Sequence, residues 1–368
     1  MKTNLIAVLL VFAWASTVCC QTVDFDAKIK VKCEKYIQIP LPAEANTIPT
    51  PAKFPSCHSL WLYYGFGGEK EDHTAARKCA WQERAVFLKE KNEYEGSPAD
   101  GGMETLANIY ANGVGVTRNI PLALRFACET AEISPAIDQI EALEELAGKP
   151  APRTKRDYFN YCDGDPTTPQ VAICASWEDK LEDEERQKVI QQLSATWPQA
   201  QQVALTALVK AEFSYSAAHA RKEIYLSGSG RVVWEVDAEQ GLRNDFVAAL
   251  QAFEKGQFPD WPAEDSAKAD QILNQTYHKI ITEAKTSKDE ISTIQAEDIL
   301  STELVWLKYR DAWIAFAKLR YPKVNSYSWL TLLTNDRTAI LKDTACEIGI
   351  DEPSCEARGE DNKARPLP

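Results

Sequence analysis

Residues 302–317 read Thr-Glu-Leu-Val-Trp-Leu-Lys-Tyr-Arg-Asp-Ala-Trp-Ile-Ala-Phe-Ala, and this stretch indicates the fold class most clearly. Large apolar residues recur in it every three or four positions, as on one face of an α-helix, at Trp306, Tyr309, Trp313 and Phe316. Neither proline nor glycine interrupts the pattern. The sequence therefore predicts a helix over 287–319.

The same periodicity, bounded by prolines and glycines, predicts further helices outward from this stretch. They span 171–194, 198–226, 231–255, 263–285 and 328–344. Because 368 residues exceed what one small core holds, two or three domains are expected. The predicted fold is mostly α, with a helical repeat-like cap and a helical bundle that are stapled by disulfides.

The first 20 residues have the layout of a secretory signal peptide. Lys2 precedes an apolar run over 5–12, and small residues follow it. This run is too short for a comfortable transmembrane helix. We expect residues 1–20 to direct the chain to a secreted or periplasmic location, with cleavage after Ala15 or Cys20 and without a membrane span.

The cysteine content agrees with export, because an even set of cysteines in an exported chain indicates disulfides. The predicted pairs are Cys162–Cys174, Cys346–Cys355, Cys57–Cys79 and Cys33–Cys128. The alternative is a zinc site built from Cys57, His58, His73 and Cys79. Its spacing matches no standard zinc motif and an oxidising compartment favours disulfides, so neither a metal nor a cofactor is expected.

The chain is acidic, with 54 Asp and Glu residues against 41 Lys and Arg residues and a net charge of −13. A general binder of nucleic-acid phosphates needs clustered basic residues, so the composition excludes nucleic acid as the partner. Complementary charge speeds the encounter with a basic partner, although acidity also serves solubility alone.

Composition divides the chain after the signal segment. Residues 21–55 are predicted to form an extended arm that is broken by prolines and carries one short strand at Ile29–Lys32. A helical repeat segment is expected over 56–150, and it ends in a linker that contains glycine and proline at 148–153. The remaining segments are two helical regions at 155–258 and 263–345 and a tail with a disulfide loop at 346–368.

Two stretches within 56–150 resemble each other, because each runs from a helix that ends in tyrosine, through a glycine turn, into a second helix. Glycine accepts the positive φ of a tight turn, and small residues let paired helices approach closely. The second copy matches the pattern of the repeat at seven positions, which are Leu106, Ala107, Tyr110, Gly113, Gly115, Val116 and Ala123. This copy resembles a Sel-one-like repeat, a helix pair related to the tetratricopeptide repeat.

Three motifs follow one another in 269–341. They comprise Ala269, Asp270, Leu273, Asn274 and Tyr277, then Trp306, Tyr309, Arg310 and Asp311, then Arg337. In order and spacing this region resembles the helical domain of the LprI-type lysozyme-inhibitor family, and residues 158–256 resemble the upstream half of its longer members. Members commonly carry a cysteine soon after the Arg-Asp-Ala step, where this chain has Trp313–Phe316. The resemblance implies inhibition of lysozyme, with a basic lysozyme as the partner.

The motif residues are interpreted as structural rather than as ligand contacts, because they recur on helical spacing. Arg310 is expected to lie in an aromatic core and to pair with a carboxylate such as Asp270, since a buried arginine requires a partner. Arg337 receives the same interpretation. The binding surface is then expected among loops and exposed acidic turns.

A non-enzymatic binding protein is the leading functional hypothesis. The alternative is a helical-repeat scaffold or adaptor for an envelope or secreted protein. A cell-wall hydrolase is disfavoured because no catalytic motif accompanies the four histidines, and Glu182–Glu185 is interpreted as a solvated helix face. No catalytic residue is assigned. The histidines are His58, His73, His219 and His278.

Overall fold

The computed structural model describes residues 21–49, 51, 55–90, 100–130, 136–160, 162, 168–286 and 293–350. In these residues the regular structure consists of α-helices and short 3₁₀ turns, without a strand, which confirms the predicted fold class. The helices are α1 (Gln21–Ile37), α2 (Ser59–Tyr64), α3 (His73–Glu90), α4 (Asp100–Asn112), α5 (Ile120–Glu129), α6 (Ala136–Leu146), α7 (Thr168–Ser194), α8 (Gln199–Lys222), α9 (Arg231–Glu254), α10 (Ala263–Thr286), α11 (Ala296–Arg320) and α12 (Ser326–Glu347).

Some predictions fall on other parts of the chain. The signal segment 1–20 and residues 351–368 of the predicted tail lie outside the described residues. Among the helices that are described, none is both long enough and apolar enough to cross a membrane.

Prolines and glycines limit the later helices largely as the sequence predicts. α8 begins directly after Pro198 and α9 directly after Gly230. α12 begins after Asn325, whose side-chain oxygen accepts a hydrogen bond from the backbone of Tyr327 at 3.0 Å and so caps the helix. α11 begins at Ala296, later than the predicted residue 287.

The chain forms two compact units, Met1–Gln170 and Val171–Pro368. The sequence places the break earlier, at the linker 148–153. Residues beyond this linker stay with the first unit because Phe159 is buried in its core. The backbone N–H of Phe159 donates to Asn112 Oδ1 at 2.8 Å, and its carbonyl oxygen accepts from Asn112 Nδ2 at 2.7 Å.

The start of the predicted extended arm is helical. α1 covers Ile29–Lys32, so the strand predicted there is wrong. Helical spacing places Ile29, Cys33 and Tyr36 on one face, and these side chains join the core of the first unit, where α1 packs against α5. Burial of this face favours the helix and outweighs the preference of the β-branched residues for a strand.

Two predicted disulfides are confirmed in the first unit. Cys33–Cys128 joins α1 to α5, and Cys57–Cys79 joins the segment before α2 to α3. The second disulfide occupies both sulfurs that the alternative zinc site requires, so that alternative is wrong.

The other predicted cysteine pairs are tested only in part. Cys162, Cys174 and Cys346 are each disulfide-bonded. Cys355 lies outside the described residues. The pairings Cys162–Cys174 and Cys346–Cys355 therefore stay predictions.

The helix pair expected in the second repeat copy is present. α4 ends at Asn112 and α5 begins at Ile120, and the turn between them holds Gly113 and Gly115 at φ values of 71° and 69°. A Cβ atom on Gly113 would also lie 3.0 Å from the Cβ of Arg118. The turn therefore requires glycine there, as the sequence indicates.

The core of the second unit contains two apolar clusters. One includes Phe253 of α9 and Trp329 of α12. The other includes Trp306 of α11 and Leu341 of α12. Helix α8 packs against both α9 and α11 and contributes side chains to both clusters. A cleft lies where the two clusters meet.

Candidate functional site

A half-open cleft in the second unit is the candidate site. Side chains from α8, α9, α11 and α12 line it and surround about 810 Å³ of empty space, counted out to the solvent at its mouth. Aromatic rings form most of its wall, and charged groups are set among them. The aromatic residues are Tyr215, Phe246, Phe253, Trp306, Tyr309, Trp313 and Trp329, and the charged residues are Glu212, Asp245, Asp336 and Arg337.

Buried polar atoms without a hydrogen-bond partner collect at this cleft. Glu212 is only 5% exposed, and its Oε1 atom has no partner among the described residues. The same holds for the indole Nε1 of Trp329 and for that of Trp313, which lies near the Tyr309 hydroxyl but outside hydrogen-bonding geometry. Buried polar groups are normally paired. The Glu212 oxygen, as an acceptor, and the two indole N–H groups, as donors, can therefore interact with a bound molecule.

Glu212 reaches the cleft from α8. Burial raises its pKa to about 7, although the charges of Arg243 and Arg186 and a hydrogen bond with Ser216 act in the opposite direction. Asp183 faces the same carboxyl group and raises its pKa further. Near neutral pH, Glu212 is therefore present in comparable amounts as a carboxylate and as a carboxylic acid.

A charge network lies at the buried end of the cleft. Arg337 Nη2 and Nη1 donate to the two carboxylate oxygens of Glu223 at 2.6 and 2.8 Å, and Arg337 Nε donates to Glu303 at 2.9 Å. His219 Nδ1 lies 3.0 Å from Glu223 Oε2, and the Tyr215 hydroxyl accepts from Arg337 Nη1 at 3.3 Å. The positive charge that Arg337 brings to the cleft is thus neutralised within the protein.

The two central groups of this network are completely buried, since Arg337 and Glu223 are both 0% exposed. Burial alone would raise the pKa of Glu223, but the charge and hydrogen bonds of Arg337, together with His219, lower it. The pair therefore remains ionised inside the core and fixes the relative position of α8 and α12.

No protein-family model, curated protein or solved structure matches this chain. The Sel-one-like and LprI-type resemblances therefore rest on the sequence motifs alone and stay predictions. The geometry of the cleft is the structural basis on which a function can be proposed.

The structure distributes the predicted motif residues between the cleft, other parts of the core and the surface. Trp306, Tyr309 and Arg337 line the cleft, whereas Ala269 and Leu273 are buried on α10 outside its lining.

The prediction that Arg310 lies in the core and pairs with Asp270 is wrong. Its guanidinium contacts the neighbouring Asp311 at 2.9 Å, is partly exposed and stacks on the Trp306 ring. Asp270 instead accepts a hydrogen bond from Asn274 at 3.1 Å. Of the two motif arginines, Arg337 on α12 is the buried one, whereas Arg310 on α11 is partly exposed.

The stretch Glu182–Glu185 is partly exposed, and its first two residues also form ion pairs. Asp183 accepts hydrogen bonds from Arg186 at 2.6 Å and from Arg243 at 2.8 Å. Glu182 accepts a further bond from Arg186 at 3.1 Å. Both arginines are buried, and the bond from Arg243 to Asp183 links α7 to α9.

Sequence reasoning missed Glu212, although its pattern contains a usable signal. Glu212 lies seven and four residues after Leu205 and Leu208, and three and seven residues before Tyr215 and His219. It therefore occupies the buried face of α8, where an acidic residue is unusual unless it is paired or functional. No comparable sequence pattern indicated that α9 and Trp329 would line the cleft.

The Glu212 carboxyl group makes the stability of the protein depend on pH. Its pKa of about 7 exceeds the ordinary value of 4.5, so the folded state holds the proton more tightly and stability falls as pH rises from about 4.5 to about 7. We expect Glu212→Gln to raise the free energy of unfolding by about 2–3 kcal/mol at pH 8 and by less than about 1 kcal/mol at pH 5.

Urea titrations at the two pH values measure this difference. The control is Glu264→Gln, which alters an exposed carboxyl group on α10 and should change stability little at either pH. An equal effect of Glu212→Gln at pH 5 and pH 8 would show that burial does not raise the pKa of this group.

Proposed function

We propose that this chain is an exported, non-enzymatic binding protein whose second unit receives part of a basic partner protein in the aromatic cleft. Inhibition of lysozyme, which the LprI-type resemblance implies, is the activity that we propose for it. The observation that carries the proposal is the buried Glu212 oxygen, which lacks a partner among the described residues in a cleft walled by aromatic rings.

The shape and the chemistry of the cleft support the binding of a ligand. Its lining contains no serine, cysteine, lysine or histidine, so it offers no hydroxyl, thiol or amine nucleophile of the Ser-His, Cys-His or lysine kind, and its acidic groups are Glu212, Asp245 and Asp336. Concave sites with aromatic walls and a few fixed polar groups are typical of ligand recognition. Among the described residues, no group of three or more His, Cys, Asp or Glu side chains could hold a metal ion.

The charge of the chain and its disulfides support the rest of the proposal. A net charge of −13 favours encounter with a basic protein, and lysozymes are often strongly basic. Disulfides persist in oxidising compartments, which fits secretion or a periplasmic location.

A lysis assay beside a calorimetric titration tests the proposed activity. We expect the oxidised protein without residues 1–20 to bind at least one class of lysozyme stoichiometrically and to stop cell-wall lysis. Binding of a partner peptide without any effect on lysozyme would instead favour the scaffold. Lysis of peptidoglycan by the protein itself, abolished by a single Asp or Glu substitution, would favour a hydrolase.

Filling the cleft tests whether it is the site of binding. Ala249 of α9 lines the cleft and is buried, so Ala249→Phe should occupy the space and weaken lysozyme binding by about tenfold or more. Ala248 is exposed on the same helix, and Ala248→Phe should leave the affinity unchanged. Circular dichroism establishes that both variants are folded, and titration calorimetry compares their affinities. Equal affinities for the two variants would place the binding surface elsewhere.

A further inference from the structure

We propose that the cleft of the second unit recognises an organic cation, an alkylammonium or guanidinium group carried on an apolar body. This inference rests on the proposed function, because it specifies the chemistry of the group that enters the cleft. It follows from the charges around the cleft, from its aromatic wall and from the position of Glu212.

The charges around the cleft are predominantly negative. Asp245 and Asp336 line it together with Glu212, whereas Arg337 is its one cationic lining residue. Arg337 already pairs with both Glu223 and Glu303, so its charge is more than balanced by its own partners. A cation that enters the cleft therefore meets a negative field, and an anion meets a repulsive one.

The aromatic wall suits the same ligand. Cations are attracted to aromatic rings, and the attraction grows when water is excluded. This unit already places its own guanidinium groups on rings, with Arg310 5.5 Å from the centre of Trp306 and Arg320 4.1 Å from that of Trp197. The cleft adds apolar surface from Phe246 and Phe253, which a hydrated inorganic ion would not use.

Glu212 supplies the acceptor for the cation. Its Oε1 atom lacks a partner among the described residues, and a positively charged N–H donor would satisfy it with a charge-assisted hydrogen bond. The indole N–H of Trp329 then remains for an oxygen atom next to the cationic group, such as a carbonyl or a hydroxyl.

The affinity for such a cation should rise with pH. A cation binds the carboxylate form of Glu212, whose pKa of about 7 makes that form scarce at pH 6 and abundant at pH 8. The affinity should increase about tenfold between these values. The charged or titratable groups that act on Glu212 are Arg243, Arg186, Asp183 and Tyr309, and Asp245, Asp336 and Arg337 line the same cleft.

Three probes of similar size separate the ligand classes. Phenethylamine is cationic, 2-phenylethanol is neutral and 3-phenylpropionate is anionic. At pH 8 we expect phenethylamine to bind at least about tenfold more tightly than either of the others, as measured by calorimetry and by tryptophan fluorescence. Equal or tighter binding of the alcohol or the acid would overturn the inference, and so would the absence of binding by all three.

A variant ties the preference to Glu212. Glu212→Gln keeps the shape of the side chain and removes its charge, so it should abolish the preference for the amine and the rise in affinity with pH. Asp336→Asn, at an exposed position of the lining, should weaken amine binding without removing its dependence on pH. Retention of the full preference and pH dependence in Glu212→Gln would contradict the assigned role of this residue.

The cation could be a free amine or a basic side chain of a partner protein, and the two sources are distinguishable. Nα-acetyl-lysine methylamide and a lysine-rich peptide represent the protein source, and phenethylamine represents the free amine. Tighter binding of the peptide indicates a protein partner, and tighter binding of phenethylamine indicates a small molecule. Both results support the cationic class.

Failure of the cation and failure of the proposed function give different results. Equal binding of amine and alcohol, together with loss of lysozyme binding in Ala249→Phe, would overturn the proposed preference for a cation. The cleft would then remain the binding site for lysozyme. A clear preference for phenethylamine without binding of any lysozyme would overturn the proposed inhibition of lysozyme. The inference that the cleft recognises a cation would remain.

Discussion

Replacing Arg337 by methionine is expected to lower the free energy of unfolding by about 3–5 kcal/mol. The substitution keeps a side chain of similar length but leaves the completely buried Glu223 without its cation. An unpaired carboxylate in the core must either remain charged at high cost or take up a proton. Because the second route is easier in acid, the loss of stability should be smaller at pH 5 than at pH 8.

Arg310→Met is the matched control for this experiment. Arg310 lies in the same unit, but it is partly exposed and its ion pair is with the adjacent Asp311, so its loss should change stability by less than about 1 kcal/mol. The double variant Arg337→Met with Glu223→Gln should recover part of the loss, because it removes both charges. If urea titration gave equal effects for the two arginine variants, the buried pair would not hold the second unit together.

Removing the Cys33–Cys128 disulfide by Cys33→Ala with Cys128→Ala is expected to lower the free energy of unfolding by about 4–5 kcal/mol. The two cysteines are 95 residues apart, and a disulfide that closes a long loop restricts the unfolded chain strongly. The disulfide also fixes α1, which otherwise contributes only one face to the core of the first unit.

The shorter disulfide provides the comparison. Cys57 and Cys79 are 22 residues apart, so their replacement by alanine should lower the free energy of unfolding by about 3 kcal/mol. Urea titration of the two double variants under the same conditions measures the difference. A larger loss from the shorter loop would show that local packing, and not loop length, determines the contribution of these disulfides.

The helices could be predicted from the sequence because their signals are local. Apolar residues at helical spacing, together with breaks such as Pro198 and Gly230, placed α8 and α9 within a few residues of their observed limits. The strand at Ile29–Lys32 was wrong because four β-branched and charged residues carry no information about the face that packs on α5.

The candidate site was predictable only in part. The sequence singled out Trp306, Tyr309 and Arg337, all of which line the cleft, because they belong to regular motifs. It assigned the buried ion pair to Arg310 and Asp270, since nothing local shows that Arg337 meets Glu223 from 114 residues away. Contacts between distant helices depend on packing, and a periodic pattern does not specify the partner helix.

The most direct test of the cleft is the response of its indole groups to a partner. In protein labelled with ¹⁵N-tryptophan, and with resonances assigned by Trp→Phe substitution, the indole N–H signals of Trp329 and Trp313 should shift when a strongly basic lysozyme is added. The signals of Trp61 and Trp234, which are exposed and lie outside the cleft lining, should remain in place. Shifts at Trp61 or Trp234 with unchanged signals at Trp329 and Trp313 would contradict the assignment of the cleft as the binding site.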